Sequence, residues 1–179
     1  MTLPLERSWS LPPAVRGIRA AFVFFTRLPL GGFPYRKEDW KWAAAHAPLV
    51  GLALGGALGQ LDRALLPLGV LPAALLTIAV SLLLTGGFHE DGLADTSDAL
   101  GGGYNVERVH AILKDSRIGA FGGAALVVSI AGRAALLAQL GEAAAFALPL
   151  VFCAARVAPI WLMASMNYVT AEESARRRS

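Results

Sequence analysis

The stretch "ALLPLGVLPAALLTIAVSLLLTGGF", residues 64–88, contains no charged residue and is long enough to cross a lipid bilayer, since about 20 apolar residues suffice for one crossing. Three other segments have the same character: 42–61 has no charge, 118–141 has only Arg133, and 143–171 has only Arg156. We therefore predict an all-α, polytopic membrane protein. Its four transmembrane helices are expected near 44–61, 70–87, 119–140 and 144–168.

The composition agrees with this prediction. Hydrophobic residues make up 55% of the 179 residues, charged residues make up 16%, and the mean hydropathy is +0.54, whereas a soluble domain carries about 25% charged residues. The net charge of +3 comes from scattered basic residues, so no nucleic acid partner is predicted. The single cysteine, Cys153, excludes an intrachain disulfide. We expect one integral membrane domain, residues 1–179, surrounded by the lipid bilayer.

The stretch "AVRGIRAAFVFFTRLPL", residues 14–30, is too short and too charged to span easily. Ile18, Phe22 and Phe25 form one helical stripe, and Arg16 and Arg19 lie off it. This pattern is typical of an interfacial helix.

Basic residues concentrate in three regions: 1–41, 88–118 and the tail 176–178. Four crossings would place all three regions on the same side of the membrane. Because cytoplasmic loops carry the excess of Lys and Arg, this side is predicted to be the cytoplasmic one.

The acidic segment "GGFHEDGLADTSDALGGG", residues 86–103, interrupts this apolar chain and opens the predicted site segment 86–118. Asp91, Asp95 and Asp98 are spaced i, i+4, i+7 and would share one helix face. Clustered carboxylates suit a hard cation such as Mg²⁺ or Mn²⁺; the alternative is a solvated acidic face. His89 is a candidate base or ligand, with a structural role as the alternative. Glu90 is expected to face away from the aspartates and to be solvated.

A second polar stretch, "LKDSRIGAFGG", covers residues 113–123. Asn105 is expected to cap a short helix that ends near Lys114. Lys114 and Arg117 suit phosphate oxygens, with ordinary interfacial anchoring as the alternative. Asp115 could add a metal ligand.

Arg133 and Arg156 fall in the middle of predicted membrane helices. A charge there costs roughly 3 kcal/mol on the milder insertion scales. We therefore expect both to pair with a substrate phosphate or with a carboxylate of the acidic segment, unless they extend to the interface. Carboxylates suited to a hard cation, close in sequence to Lys and Arg, favour phosphoryl transfer. In that reaction, positioning and charge neutralisation supply the catalysis.

Several stretches resemble the adenosylcobinamide-GDP ribazoletransferase (cobalamin-5'-phosphate synthase) family. "TGGFHEDGLADTSDALGGG" (85–103) and "ILKDSRIGAFGGAAL" (112–126) look like its two signature stretches. "FFTRLPL" (24–30) looks like its N-terminal signature, and "HAPLVGLALGGALG" (46–59) resembles its first membrane helix. Arg156 falls where the family carries an Arg before a later segment, here "NYVTAEE" (167–173).

The resemblance implies a membrane transferase of the last steps of cobalamin biosynthesis, in the cytoplasmic (inner) membrane of a bacterium or archaeon. It would join adenosylcobinamide-GDP to α-ribazole or its 5'-phosphate and release GMP, with Mg²⁺ as cofactor. Carried onto this chain, it makes Asp91, Asp95 and Asp98 the metal-binding acids, joined by Asp115, Lys114 and Arg117 from the second motif. Asp98 or His89 would accept the hydroxyl proton. Whether the chain forms a homo-oligomer stays open.

Two other interpretations remain. A CDP-alcohol phosphotransferase also uses spaced aspartates at a membrane face, but "DGLADTSD" lacks the register of that motif. A non-enzymatic helical transporter or scaffold gives no reason for "KDSRIG" beside the aspartates. The chain ends at "AEESARRRS", before the further helices and the later "G-x-T-G-D" motif of the family. We therefore expect a truncated, frame-shifted or split form.

Overall fold

A computed structural model describes residues 11–31 and 35–166. This part of the chain is helical and contains no strand, which confirms the predicted fold class. The "NYVTAEE" stretch and the tail arginines 176–178 lie outside the described residues. The helices are α1 (Pro13–Phe25), α2 (Lys37–Ala45), α3 (Ala47–Leu65), α4 (Val70–Thr85), α5 (Phe88–Gly102), α6 (Val106–Ile112), α7 (Ala120–Leu140), α8 (Ala144–Ala154) and α9 (Val157–Ser165).

The predicted helix boundaries agree with the structure to within a few residues. A 3₁₀ turn at Leu66–Leu68 separates α3 from α4, and another at Gly141–Ala143 separates α7 from α8. Asn105 caps α6 as predicted, and its side chain accepts a hydrogen bond from the Arg108 N–H at 2.8 Å. The last predicted membrane helix is broken near Arg156, which precedes α9.

The N-terminal helices α1 and α2 pack on each other through a buried ion pair. Arg16 Nη2 lies 2.9 Å from Asp39 Oδ1, and the two side chains are 10% and 3% exposed. The other Asp39 oxygen accepts the Arg36 N–H at 3.0 Å, which fixes the start of α2. A small core that includes Ala21, Ala43 and Val50 then joins both helices to α3.

Helices α3 and α8 make the most extensive helix–helix contact, through a stripe of glycines on α3. Gly51, Gly55 and Gly59 face the α8 backbone at Phe152, Leu148 and Ala145, so that the two helices run antiparallel. At Gly55 an added Cβ would lie 2.7 Å from Pro149 Cα. Such small residues let membrane helices approach to backbone contact.

Helix α7 packs along both α4 and α5. Ala74 of α4, Leu137 of α7 and Ala144 of α8 form one buried cluster. Helix α4 also binds α3, where the Thr77 hydroxyl donates to buried Asp62 Oδ1 at 3.1 Å. The four apolar helices therefore form one bundle, and α5 packs on α7 from its first turn to Arg133.

Two helical segments within the described ranges are long and apolar enough to cross a membrane: Ala47–Leu68 and Ala120–Ser165. A third is added if α4 and α5, which meet at an angle of 90°, count as one broken span. The second segment has 46 residues, so at ~1.5 Å per residue it is about 69 Å long, enough for two crossings of a ~30 Å hydrocarbon core. The predicted count of four crossings stays a prediction.

Candidate active site

The acidic helix α5 begins at a sharp bend after α4. Gly86 and Gly87 both adopt left-handed backbone angles, with φ of +67° and +68°, which residues with a side chain rarely adopt. A Cβ on Gly86 would also collide with the Arg27 side chain. The Arg27 N–H donates to the Leu84 carbonyl at 2.7 Å. The middle of the "FFTRLPL" stretch is thus docked on the bend.

A cavity of about 560 Å³, called here the acidic cavity, lies between the end of α1, the bend and α5. It brings Arg27 to the same opening as Asp91 and Glu90. Its lining residues are Val23, Phe24, Thr26, Arg27, Thr85, Gly86, Gly87, Phe88, Glu90, Asp91, Ala94, Ile118 and Leu126. A cation and carboxylates that share one cavity suit a phosphorylated ligand carrying a divalent metal.

The Asp98 carboxylate binds the beginning of α7. Its Oδ2 accepts the Gly119 N–H at 2.7 Å, and its Oδ1 accepts the Gly122 N–H at 2.8 Å. The first N–H groups of a helix have no partner within the helix and attract negative charge. Asp98 therefore caps α7 from a neighbouring helix. The metal-ligand and proton-acceptor roles predicted for it remain predictions.

Asp91 and Asp95 have no such partner: no described residue donates a hydrogen bond to either carboxylate or forms an ion pair with it. Asp91 is exposed and Asp95 is half-buried. Across residues 11–31 and 35–166, no group of three or more His, Cys, Asp or Glu side chains lies close enough to hold a metal ion. The metal assignment of Asp91, Asp95, Asp98 and Asp115 therefore remains a prediction.

Asp115 and Arg117 bind each other. Arg117 Nη2 donates to Asp115 Oδ2 at 2.6 Å, and Arg117 Nε donates to Asp115 Oδ1 at 3.0 Å. Hydrogen bonds from the Arg117 side chain and backbone lower the pKa of Asp115 to about 2. Both residues line a separate cavity of about 400 Å³ with Asp98 and Arg108. Lys114, the residue before Asp115, is exposed.

Arg133 forms the ion pair that its position in the membrane helix led us to expect. Its Nη1 donates to Glu90 Oε1 at 2.9 Å. The expectation that Glu90 is solvated was wrong, since its side chain is 15% exposed. The reason is that Arg133 needs a counter-charge and Glu90 lies on the α5 face that packs on α7. Glu90 Oε2 and Arg133 Nη2 are buried with no hydrogen-bond partner among the described residues.

Arg156 is buried, at 5% exposure, and lies beside His89. Its Nη1 donates to the Phe152 carbonyl at 2.8 Å, and its Nη2 lies 3.4 Å from His89 Nε2. Because a guanidinium can only donate, Nε2 accepts, which places the imidazole proton on Nδ1. His89 and Arg156 line a second cavity of about 340 Å³, called here the aromatic cavity; its other lining residues are Phe24, Phe25, Trp40, Ala43, Ala44, Ala47, Phe88, Pro159, Ile160 and Met163.

Six of the nine predicted residues line three neighbouring cavities, and Asp95, Lys114 and Arg133 line none of the three. Asp91 lines the acidic cavity, His89 and Arg156 line the aromatic cavity, and Asp98, Asp115 and Arg117 line the third. The sequence did not predict Arg27 as a site residue, nor the ion pair between Glu90 and Arg133. The one indication that Arg27 belongs to the site was its position within the "FFTRLPL" stretch.

Comparison with known proteins identifies the family. A family model described as cobalamin-5-phosphate synthase matches residues 17–178. Over 142 residues the chain is 46% identical to the adenosylcobinamide-GDP ribazoletransferase of Polaromonas sp., covering 72% of this chain and 49% of that protein. The proteins of the same name from Vibrio parahaemolyticus (38%) and Leptothrix cholodnii (39%) each align with 88% of this chain and with 61% and 62% of their own lengths.

No solved structure matches the chain. The chain aligns with about half to three-fifths of the length of these curated relatives. The family model, by contrast, covers nearly all of this chain and includes every residue of the three cavities. The chain belongs to the cobalamin-5-phosphate synthase family.

Proposed function

We propose that this chain transfers the adenosylcobinamide-phosphoryl group from adenosylcobinamide-GDP to α-ribazole or its 5'-phosphate and releases GMP, the last stage of cobalamin assembly. The observation that carries the proposal is the acidic cavity, in which Arg27 and Asp91 meet. The names of the relatives supply the substrates, and the cavity supplies groups that can bind a pyrophosphate.

The reaction replaces a phosphoanhydride bond with a phosphoester bond. A ribose hydroxyl oxygen of the acceptor attacks the phosphorus bonded to cobinamide, the bond from that phosphorus to the bridging pyrophosphate oxygen breaks, and GMP leaves with that oxygen. The hydroxyl proton passes to a base. His89 is the proposed base: its unprotonated Nε2 would accept the proton and release the hydrogen bond from Arg156 Nη2. It also precedes Glu90 and Asp91 of the acidic cavity.

The oxygen donors of this site fit Mg²⁺, which typically binds one or two carboxylates together with substrate phosphates and water. Asp91 and Asp95 would hold the ion, because their carboxylates have no partner among the described residues. Mg²⁺ supplies charge neutralisation at the phosphate oxygens. Arg27, which lines the same cavity as Asp91, would bind and orient the same group.

GMP release tests the proposal. Membranes that contain this chain are given adenosylcobinamide-GDP and either acceptor form, with Mg²⁺ or with EDTA. We expect release that requires both substrates and Mg²⁺. Asp91→Asn should lower it by at least about a hundredfold, since removal of one charge-stabilising group typically costs this much. Glu142→Gln is the matched control, because Glu142 is an exposed carboxylate beyond the far end of α7.

The proposal fails if no GMP is released with either acceptor while the chain is present and folded in the membrane. It also fails if Asp91→Asn and Glu142→Gln have equal activity. The first result would show that the chain is not this transferase. The second would show that the acidic cavity is not its active site.

We also propose that the site faces the cytoplasm from the inner membrane, which the distribution of basic residues favours. A Ser116→Cys variant in a Cys153→Ala background provides the test, because Ser116 is exposed beside the site. A membrane-impermeant maleimide should label it in inverted vesicles and not in intact cells. Labelling in intact cells would reverse the orientation.

A further inference from the structure

The aromatic cavity is a small-molecule pocket that the reaction scheme above leaves unassigned. Its volume of about 340 Å³ lies at the lower end of the range of roughly 300–1,000 Å³ typical of ligand sites. Its lining includes Phe24 and Phe25 from α1, Trp40 from α2 and Met163 from α9. Such a cavity suits a planar, largely apolar ligand.

One end of this cavity is polar. Arg156 is buried, and no described carboxylate forms an ion pair with it. Its Nε has no acceptor among the described residues. Its charge is met by the Phe152 carbonyl, the face of the Phe152 ring and the His89 imidazole. A buried cation with so little compensation favours a ligand that brings oxygen acceptors or a negative charge.

The aromatic and acidic cavities share a wall. Phe24 and Phe88 line both, and their ring centroids are 5.5 Å apart. His89 lines the aromatic cavity, while Glu90 and Asp91, the next two residues of α5, line the acidic one. A transfer between two substrates requires them to lie side by side, and these cavities are placed side by side.

We propose that the aromatic cavity binds the acceptor substrate, a benzimidazole nucleoside. Its fused ring lies among Phe24, Phe25 and Trp40, and its ribose end lies toward His89 and Arg156. This inference rests on the proposed function, because it assumes a nucleoside acceptor. It assigns the acceptor to a different cavity from the one that holds the pyrophosphate.

Equilibrium dialysis tests the inference without donor or metal. The purified chain in nanodiscs is titrated with α-ribazole and with its 5'-phosphate. Ala44→Leu adds bulk at a cavity wall, whereas Ala45→Leu places the same side chain at the exposed neighbouring position on α2. We expect Ala44→Leu to raise the Kd of both compounds at least tenfold and Ala45→Leu to leave it within twofold.

A second pair of variants removes bulk instead, in case Ala44→Leu fails to fold. Met163→Ala shortens one side chain that lines the cavity. Met166→Ala makes the same change at an exposed position that does not line it. Only Met163→Ala should weaken acceptor binding. The aromatic cavity could otherwise hold a lipid chain; in that case the cavity variants would change the amount of co-purified phospholipid and leave the acceptor Kd unaltered.

Unaltered acceptor affinity in both cavity variants overturns the inference, whether or not lipid is found, and leaves the proposed function standing. Absence of acceptor binding to the unmodified chain also overturns it. If the unmodified chain binds neither acceptor nor adenosylcobinamide-GDP, the proposed function falls as well, so the two failures are distinguishable.

Discussion

Replacement of Asp98 by asparagine should destabilise the protein even when no metal is present. The Asp98 carboxylate accepts two backbone N–H groups at the start of α7, from Gly119 and Gly122. An asparagine side chain keeps one oxygen and places an N–H₂ group against the other donor. It therefore loses one hydrogen bond to a charged group, about 1.5–3 kcal/mol, and the negative charge at a helix N-terminus, about 0.3–1 kcal/mol.

The expected loss in the free energy of unfolding is therefore about 2–4 kcal/mol. Asp95→Asn is the matched control, since Asp95 lies one turn earlier on α5 and no described residue donates to it. We expect that variant to change stability by less than about 0.5 kcal/mol. Reversible unfolding in mixed detergent micelles with EDTA measures both. EDTA isolates the capping contact from any contribution of a bound cation.

Hydrogen exchange locates the effect. In the Asp98→Asn variant the amides of Gly119 and Gly122 should exchange faster than in the unmodified chain, whereas those in the middle of α7 should not. Equal stability of Asp98→Asn and Asp95→Asn in EDTA would refute the capping role. A stability gap that appears only with Mg²⁺ would instead indicate that Asp98 acts as a metal ligand.

Asp39→Asn should cost about 1.5–3 kcal/mol, because it removes the negative charge from the Arg16–Asp39 ion pair, while Arg16 keeps its hydrogen bond to the Leu11 carbonyl. Burial raises the pKa of Asp39, but hydrogen bonds from Arg16 and the Arg36 backbone outweigh this effect, and the pKa is lowered. The charged Asp39 therefore stabilises the fold above pH ~4, and this stabilisation is lost at lower pH. The unfolding curves of the unmodified chain and of Asp39→Asn should thus converge in acid. Arg117→Gln should raise the pKa of Asp115 from about 2 toward ~3.9 in a carboxyl ¹³C NMR titration, and an unchanged value would contradict the pairing. Gly55→Ala should destabilise the α3–α8 contact by about 1–3 kcal/mol, whereas Gly56→Ala, with no atom within 4 Å of its added Cβ, should not.

The helices could be predicted from the sequence because each follows from a local property. Apolar runs and the residues that interrupt them, such as Pro67 and Gly141, set the boundaries of α3, α4, α7 and α8. Asn105 marked the start of α6 through its capping side chain. The glycine stripe of α3 is also visible in the sequence, but its partner α8 depends on how the bundle is assembled, which periodicity along the chain does not specify.

The roles of individual acids were harder to predict, because they depend on which helix each acid faces. The i, i+4, i+7 spacing correctly placed Asp91, Asp95 and Asp98 on one side of a helix. It contained no information that α7 would begin beside Asp98 or that Arg133 would reach Glu90. The bend at Gly86, which turns α5 by 90° from α4, determines both contacts.

The acidic residues of α5 divide by what they bind. Glu90 and Asp98 contact Arg133 and the α7 amides, and these contacts hold α5 against the bundle. Asp91 and Asp95, without such partners in the described part of the chain, retain carboxylate oxygens that a ligand can use. Since catalytic groups must be held in place by their surroundings, the acids that anchor α5 and those that bind ligand are expected to be different ones. Loss of an anchor should therefore lower stability first, and loss of Asp91 should lower turnover at unchanged stability.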